Sequence, residues 1–346
     1  MEPLKDDSTR DWTEPGIYTV APGVYRIPLP LPNDGLKSVN VYAVTDGTRL
    51  VLVDAGWARE DSRERLRAGL AGIGAELGDI DEFLITHIHR DHYSQAVTLR
   101  REFGCHVTLG QAEEPSLKVS ADPDQPEMAG VVLSLHKYGA GVVAKELAEL
   151  FGDRLLSDRA EWETPDEWLT GGTREVLPGR DFQVVPTPGH TSGHLVFADD
   201  AAGLLFSGDH VLPHITPSIG FQAVPADLPL GDFLDSLRLV REMPDRRLLP
   251  AHGPVTESAH QRVDELLAHH AERLTAMGET IANGASTALE AAGRLGWTRR
   301  RRELNELDAF NKMLAVLETA AHLDLLVAQG SLTSATSGGV RHYGLN

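Results

Sequence analysis

The chain has one cysteine among its 346 residues, Cys105, so no disulfide can form within it and a reducing compartment is expected. Its place in the apolar run Cys105–Leu109 predicts a buried thiol. Long apolar runs are also missing: none approaches the ~20 residues needed to span a bilayer. Met1–Glu14 is polar and charged, without the apolar segment of a secretory signal. These features predict a cytoplasmic protein with no membrane partner. Positive charge is scarce. Against 51 acidic residues stand 32 Lys and Arg, a net charge of −19. Such a surface repels nucleic acid and anionic membrane unless a local basic patch overrides it. A small-molecule substrate is the better expectation. The 41% hydrophobic content suits one large or two moderate globular domains.

What the chain does have is concentrated in Thr86-His87-Ile88-His89-Arg90-Asp91-His92, directly after the apolar run Glu82–Ile85. That run reads as the end of a buried strand. Three imidazoles and a carboxylate so close together would each need a partner if buried, at about 2–7 kcal/mol per unpaired group. A metal satisfies them together. His87 and His89, two apart, point to one side of an extended segment. Asp91 and His92 lead into a helix predicted over Tyr93–Phe103 and can turn toward a second ion.

Short strands with turn signals precede this stretch, at Ile17–Val20, Val24–Ile27, Val39–Val44 and Leu50–Val53. Asp54 ends the last of them, either as a cap for the next helix or as a partner that orients a ligand imidazole. A helix is predicted over Glu60–Leu77. The alternation of strands and helices indicates an α/β layered fold. Residues 111–172 break the rhythm and read as a mostly helical insertion able to cover a site. The strand pattern then resumes, and three apolar runs end at glycine-flanked donors: His190 in Thr187-Pro188-Gly189-His190, Asp209 in Ser207-Gly208-Asp209, and His252 in Ala251-His252-Gly253. Glycine permits tight backbone paths beside a ligand, and strand ends are where sites of layered sheets assemble.

Residues 1–255 therefore read as a catalytic domain and 256–346 as a second one. The latter is predicted to form helices over Ser258–Asn283, Ser286–Leu295 and Glu303–Gln329, then a hairpin around Ser337-Gly338-Gly339, a winged-helix-like order. It holds nine Lys and Arg against eleven Asp and Glu. Packing, or a homodimer contact, is expected there ahead of DNA binding, with Arg299–Arg302 as the one basic run.

Two divalent ions can be built from these donors. His87, His89 and His190 would hold one, Asp91, His92 and His252 the other, with Asp209 bridging both. A water between two cations loses its proton near neutral pH and becomes a nucleophile, which describes hydrolysis. Asp91 and Asp209 are the carboxylates at the reacting centre. Zinc is the default ion for His and Asp donors; iron and manganese occupy similar sites. His194 and His210 read as hydrogen-bonded structural residues. His214 and Tyr93 are the candidates for touching substrate. His260, His269, His270, His322 and His342 read as surface or packing residues.

These motifs, in this order, resemble the metallo-β-lactamase-fold superfamily over roughly residues 17–255. The resemblance implies an αββα sandwich with a dinuclear metal site at one edge. It carries the ligand set above onto these positions and makes Asp54 a residue that orients a ligand. Within the superfamily, Asp209 resembles the bridging carboxylate of thioester, lactone and phosphodiester hydrolases. His89 departs from the redox branch, which carries a glutamate there. The C-terminal tail is similar to that of lactamase-β-like-2 proteins, some of which cut single-stranded RNA. Together with the insertion it departs from glyoxalase II. The expected activity is hydrolysis of a small ester, foremost a thioester, because a thiolate leaves without a strong general acid. The alternatives are a single-strand endoribonuclease or phosphodiesterase, a lactonase, or a binding protein with structural metal.

Overall fold

The computed structural model describes residues 2–6, 10–31, 35–125, 128–151, 161–298 and 300–346. Residues 152–160 of the expected insertion and Arg299 of the basic run lie outside them. Among the described residues, an eight-stranded mixed sheet runs in sequence order. Its strands are β1 (Leu4–Lys5), β2 (Tyr18–Ala21), β3 (Val24–Pro30), β4 (Ser38–Thr45), β5 (Leu50–Val53), β6 (Glu82–Leu84), β7 (His106–Gly110) and β8 (Glu167–Leu169). From β5 onward the pairing is parallel. Helices α1 (Glu60–Ala71) and α2 (Arg90–Phe103) make the crossovers among β5, β6 and β7.

The second sheet holds β9 (Gly172–Leu177), β10 (Arg180–Pro186), β11 (Leu195–Asp199), β12 (Leu204–Gly208) and β13 (Arg247–Pro250). Only β12 and β13 pair parallel, joined through α6 (Pro229–Glu242).

Burial gives the layers. Val44, Val51, Val53 and Leu84 of the first sheet meet Phe182, Phe197 and Phe206 of the second in one apolar cluster, the interior of the sandwich. The outer face of the first sheet (Ile27, Leu52, Phe83) is covered by Leu66 and Leu70 of α1 and Val97 of α2. The outer face of the second (Val196, Leu205, Leu248) is covered by Phe233 and Leu237 of α6 and by Val263 and Leu266 further along the chain. This is the αββα sandwich that the motifs imply, with both sheets buried on both faces over most of their length.

The excursion after β7 contains α3 (Glu114–Ala121), α4 (Ala129–Lys137) and α5 (Gly141–Phe151), but it ends earlier than expected. Glu167–Leu169 returns as β8 and pairs with β7. Three residues in a charged stretch carry too little pattern to announce a strand. The C-terminal region holds α7 (Ala259–Ala282), α8 (Ala288–Ala292), α9 (Ala309–Ala328) and the hairpin β14 (Leu332–Ser337) and β15 (Val340–Leu345). α8 is shorter than predicted, and Gly293 follows it.

The C-terminal helices share a core with the excursion. Val131 and Leu135 of α4 and Val143 and Leu147 of α5 are buried with Met277, Met313, Val316 and Leu323. Asp324 of α9 accepts hydrogen bonds from Tyr138 (2.9 Å) and Tyr343 (2.6 Å), tying α4, α9 and β15 together. His270 and His322 are buried against each other, their ring nitrogens 3.1 Å apart. Cys105 is a buried free thiol, and burial pushes its pKa up to about 11. No helix among the described residues is long and apolar enough to cross a membrane.

Two glycines set the close approaches beside the histidines. A Cβ on Gly110 would lie 1.9 Å from the Gly193 carbonyl oxygen. Gly189 has φ +135, and a Cβ there would lie 2.4 Å from the Cα of Phe233 on α6. Gly189→Ala is therefore expected to destabilise the protein by more than about 3 kcal/mol in denaturant unfolding. Gly47→Ala is the control, since its φ is +90 with nothing within 4 Å. It should cost only about 1–2 kcal/mol. Equal effects would show that the packing on α6 does not matter.

Candidate metal centre

Donors converge where strands of both sheets end. His87, His89, Asp91 and His92 follow β6, with Asp91 and His92 already in the first turn of α2. His190 follows β10, Asp209 follows β12 and His252 follows β13. Donor atoms of His87, His89 and His190 lie within 4.8 Å of one another. So do those of His87, His92 and Asp209, and those of Asp91, His92 and His252.

The outward ring nitrogens explain the inward ones. His92 Nδ1–H donates to Asp54 Oδ2 (2.8 Å), His252 Nδ1–H to the Ser38 carbonyl (2.7 Å), and His190 Nδ1–H to the Ser218 carbonyl (2.8 Å). His89 Nε2–H donates to the Phe221 carbonyl (3.2 Å). His87 Nδ1 lies 3.1 Å from the Thr86 hydroxyl, whose own proton goes to Asp54. These acceptors take the outward protons, so in the neutral imidazole each inward nitrogen presents a lone pair.

Lone pairs then face each other. His89 Nδ1 is 3.1 Å from His87 Nε2 and 3.0 Å from His190 Nε2. The second group is built from His92, His252 and carboxylates. His252 Nε2 stands 3.4 Å from Asp91 Oδ2 and 3.3 Å from Asp209 Oδ1. His92 Nε2, His252 Nε2 and Asp209 Oδ1 are buried without a hydrogen-bond partner. Buried acceptors with no donor between them are what a cation resolves, so the residues fit divalent metal. Asp209 spans both groups: its Oδ2 is 3.5 Å from His190 Nε2 and its Oδ1 faces His252.

Electrostatics separates the two halves. Burial holds His87 well below the ordinary imidazole range and lowers His89 to about 3 and His190 less far. Burial also opposes protonation of His92, yet Asp91, Asp54 and Asp209 carry it up to about 10. The half with the carboxylates thus draws positive charge.

Asp54 accepts the Thr86 backbone N–H (2.8 Å) as well as His92, and α1 begins only at Glu60, so it caps no helix. Its φ is +61, which turns the carboxylate back under the site. His194 accepts the Asp209 backbone N–H at 3.1 Å and pairs with Thr187. It positions Asp209. His210 packs on Phe233, and burial lowers it to about 3. His214 is exposed.

Tyr93 must be corrected as a substrate contact. It is fully buried, stacks near Trp162 and donates its hydroxyl proton to the Glu163 carbonyl. One step along a helix turns a side chain about 100°, so Tyr93 points away from the face that carries His92.

One residue escaped the sequence reading. Glu113, fully buried, accepts from Thr191 and, at 3.4 Å, from the Ile88 N–H, clamping the His87–His89 turn to the turn after His190. Burial raises it to about 7. Its only signal in sequence is a glutamate just beyond a strand end.

Residues 34–252 match the model of the metallo-beta-lactamase superfamily. The chain belongs to that superfamily. A Bacillus subtilis protein named "Probable metallo-hydrolase" is 24% identical over 92% of this chain and 96% of its own length. An atrochrysone carboxyl ACP thioesterase of Aspergillus fumigatus is 26% identical over 72% of this chain, which spans 46% of that protein. A metallo-beta-lactamase family protein from Thermus thermophilus has a similar solved structure. The likeness has a TM-score of 0.73 at 26% identity and covers 95% of this chain and all of that one. This chain is accordingly a hydrolase of the superfamily, with a donor set that fits metal.

Proposed function

We propose that this hydrolase is dinuclear and acts on a small ester, foremost a thioester. The observation that carries the reading is Asp209, one carboxylate whose two oxygens face two separate groups of imidazoles. Bound there, two divalent ions would supply hydroxide at neutral pH and polarise the acyl oxygen. The residues of the chain orient and hold. His87, His89 and His190 keep one ion, Asp91, His92 and His252 the other, and Asp54 and His194 aim His92 and Asp209. Zinc suits this imidazole-rich set.

The outward proton of every ligand imidazole is committed, to the Thr86 hydroxyl, a carbonyl or the Asp54 carboxylate, so none is free to protonate a leaving group. A thiolate needs none. The thioesterase relative supports the same substrate class. The charge of −19 favours a small substrate over RNA, and the single buried thiol suits the cytoplasm. His214, exposed in the segment after Asp209, is the residue proposed to touch substrate.

The test is hydrolysis of acyl thioesters by the metal-loaded protein, beside a lactone and a single-stranded RNA. Thioester turnover with RNA left intact is expected. RNA cleavage without thioester turnover would reject this reading in favour of a nuclease.

A further inference from the structure

His87 shares the Asp54 support of His92 through the Thr86 hydroxyl, but the other imidazoles of the two groups are held from different parts of the molecule. On the side of His92 and His252, the outward acceptors are Asp54 and the Ser38 carbonyl, both at strand ends of the eight-stranded sheet. On the side of His89 and His190, the acceptors are the carbonyls of Phe221 and Ser218. These belong to one non-repetitive segment between β12 and α6. The side chain of Gln222, in the same segment, accepts from the backbone N–H (3.1 Å) and hydroxyl (3.0 Å) of Ser192, two residues past His190.

That segment rests on α9. Ile219 is buried among Phe233 of α6 and Ala321 and Leu325 of α9. The Phe221 ring meets Phe310 edge to face, centroids 5.6 Å apart, and its centroid also lies 5.6 Å from that of the His89 ring. At Gly220, with φ +88, a Cβ would stand 3.5 Å from Leu317. A carbonyl that accepts the outer proton of a ligand imidazole sets its orientation and basicity.

We infer that residues 218–222, seated on α9, are a positioning element for one of the two metal sites, so that the C-terminal helices set the affinity of the His87–His89–His190 site and leave the Asp91–His92–His252 site alone. The inference rests on the dinuclear reading above. Phe310 lies outside the match to the superfamily model, which ends at residue 252, and meets Phe221, whose ring in turn meets that of His89.

The experiment measures zinc bound per chain by competition against a chelator, for the full-length protein and Phe310→Ala. The wild type should bind two equivalents. Phe310→Ala should keep one at wild-type affinity and bind the other roughly 10- to 100-fold more weakly. Phe310→Tyr should restore it. In a His89→Ala background, which has lost that site, adding Phe310→Ala should change nothing further. If Phe310→Ala does not give folded protein, Gln222→Ala carries the same expectation. Two equivalents bound as in the wild type, or both weakened alike, would overturn the inference. A single equivalent in the wild type would instead overturn the dinuclear reading on which it rests.

Discussion

Turnover by Asp209→Ala is expected to fall by about a thousandfold or more at saturating metal, with the far-UV circular dichroism unchanged. The magnitude follows from what the carboxylate touches. Its two oxygens are the negative charge shared by both imidazole groups, and removing one preorganised electrostatic element commonly lowers turnover by about 10²–10³. On the two-ion reading, the loss would also uncouple two ions that act on one substrate. The fold should survive because the turn is held by the main chain: the Asp209 N–H donates to His194, and the His210 N–H to the Ser207 carbonyl at 3.0 Å. Asp209→Asn keeps the shape and removes the charge, so it should fall nearly as far. A wild-type rate in either variant would remove the bridging role and with it the two-ion mechanism.

Removing the metal should abolish turnover while the sandwich stays folded, with a lower melting temperature. At a free ion concentration about 1,000 times Kd, each site stabilises the native state by about 4 kcal/mol. Spread over the unfolding entropy of 346 residues, about 2.1 cal/mol/K each, two sites correspond to about 10 °C. The expectation of a folded apoprotein comes from the cores. The sandwich interior and both outer layers are apolar and closed without the ions. Calorimetry and circular dichroism with and without chelator check it. Outright unfolding would make the metal structural, and retained turnover would make it irrelevant.

Much of the site could be read before the fold was known, for a physical reason. Imidazoles and carboxylates gathered at the ends of apolar runs have few uses, so His87, His89, His92, His190, Asp209 and His252 stand out by type and placement. The apolar runs Leu50–Val53 and Ala202–Phe206 are equally plain, and they become the strands Leu50–Val53 and Leu204–Gly208. What stayed hidden depends on direction or on distance along the chain. Tyr93 is adjacent to His92 in sequence, yet the helical turn sends it into the core. Glu167–Leu169 becomes a strand only because β7 offers it an edge. The outward acceptors of His89, His190 and His252 are main-chain carbonyls, and any residue has one. The helices after residue 256 were legible by period, but their sharing of a core with α4 and α5 joins residues more than a hundred positions apart and leaves no local trace.

The donors arrive late and in a fixed order as the chain is made. Three imidazoles of one group exist once residue 190 has emerged, but the carbonyls that aim two of them come at 218 and 221, and Phe310 lies far behind. The other group waits for His252, whose turn is fastened by Asn40 from the first sheet, donating to the Pro250 and Gly253 carbonyls at 3.0 and 2.8 Å. On the two-ion reading, neither ion would act as a template around which half the protein assembles. On the same reading, the site of His89 and His190 would reach full affinity only in the finished molecule, and its metal content would gauge how many chains in a population have completed folding.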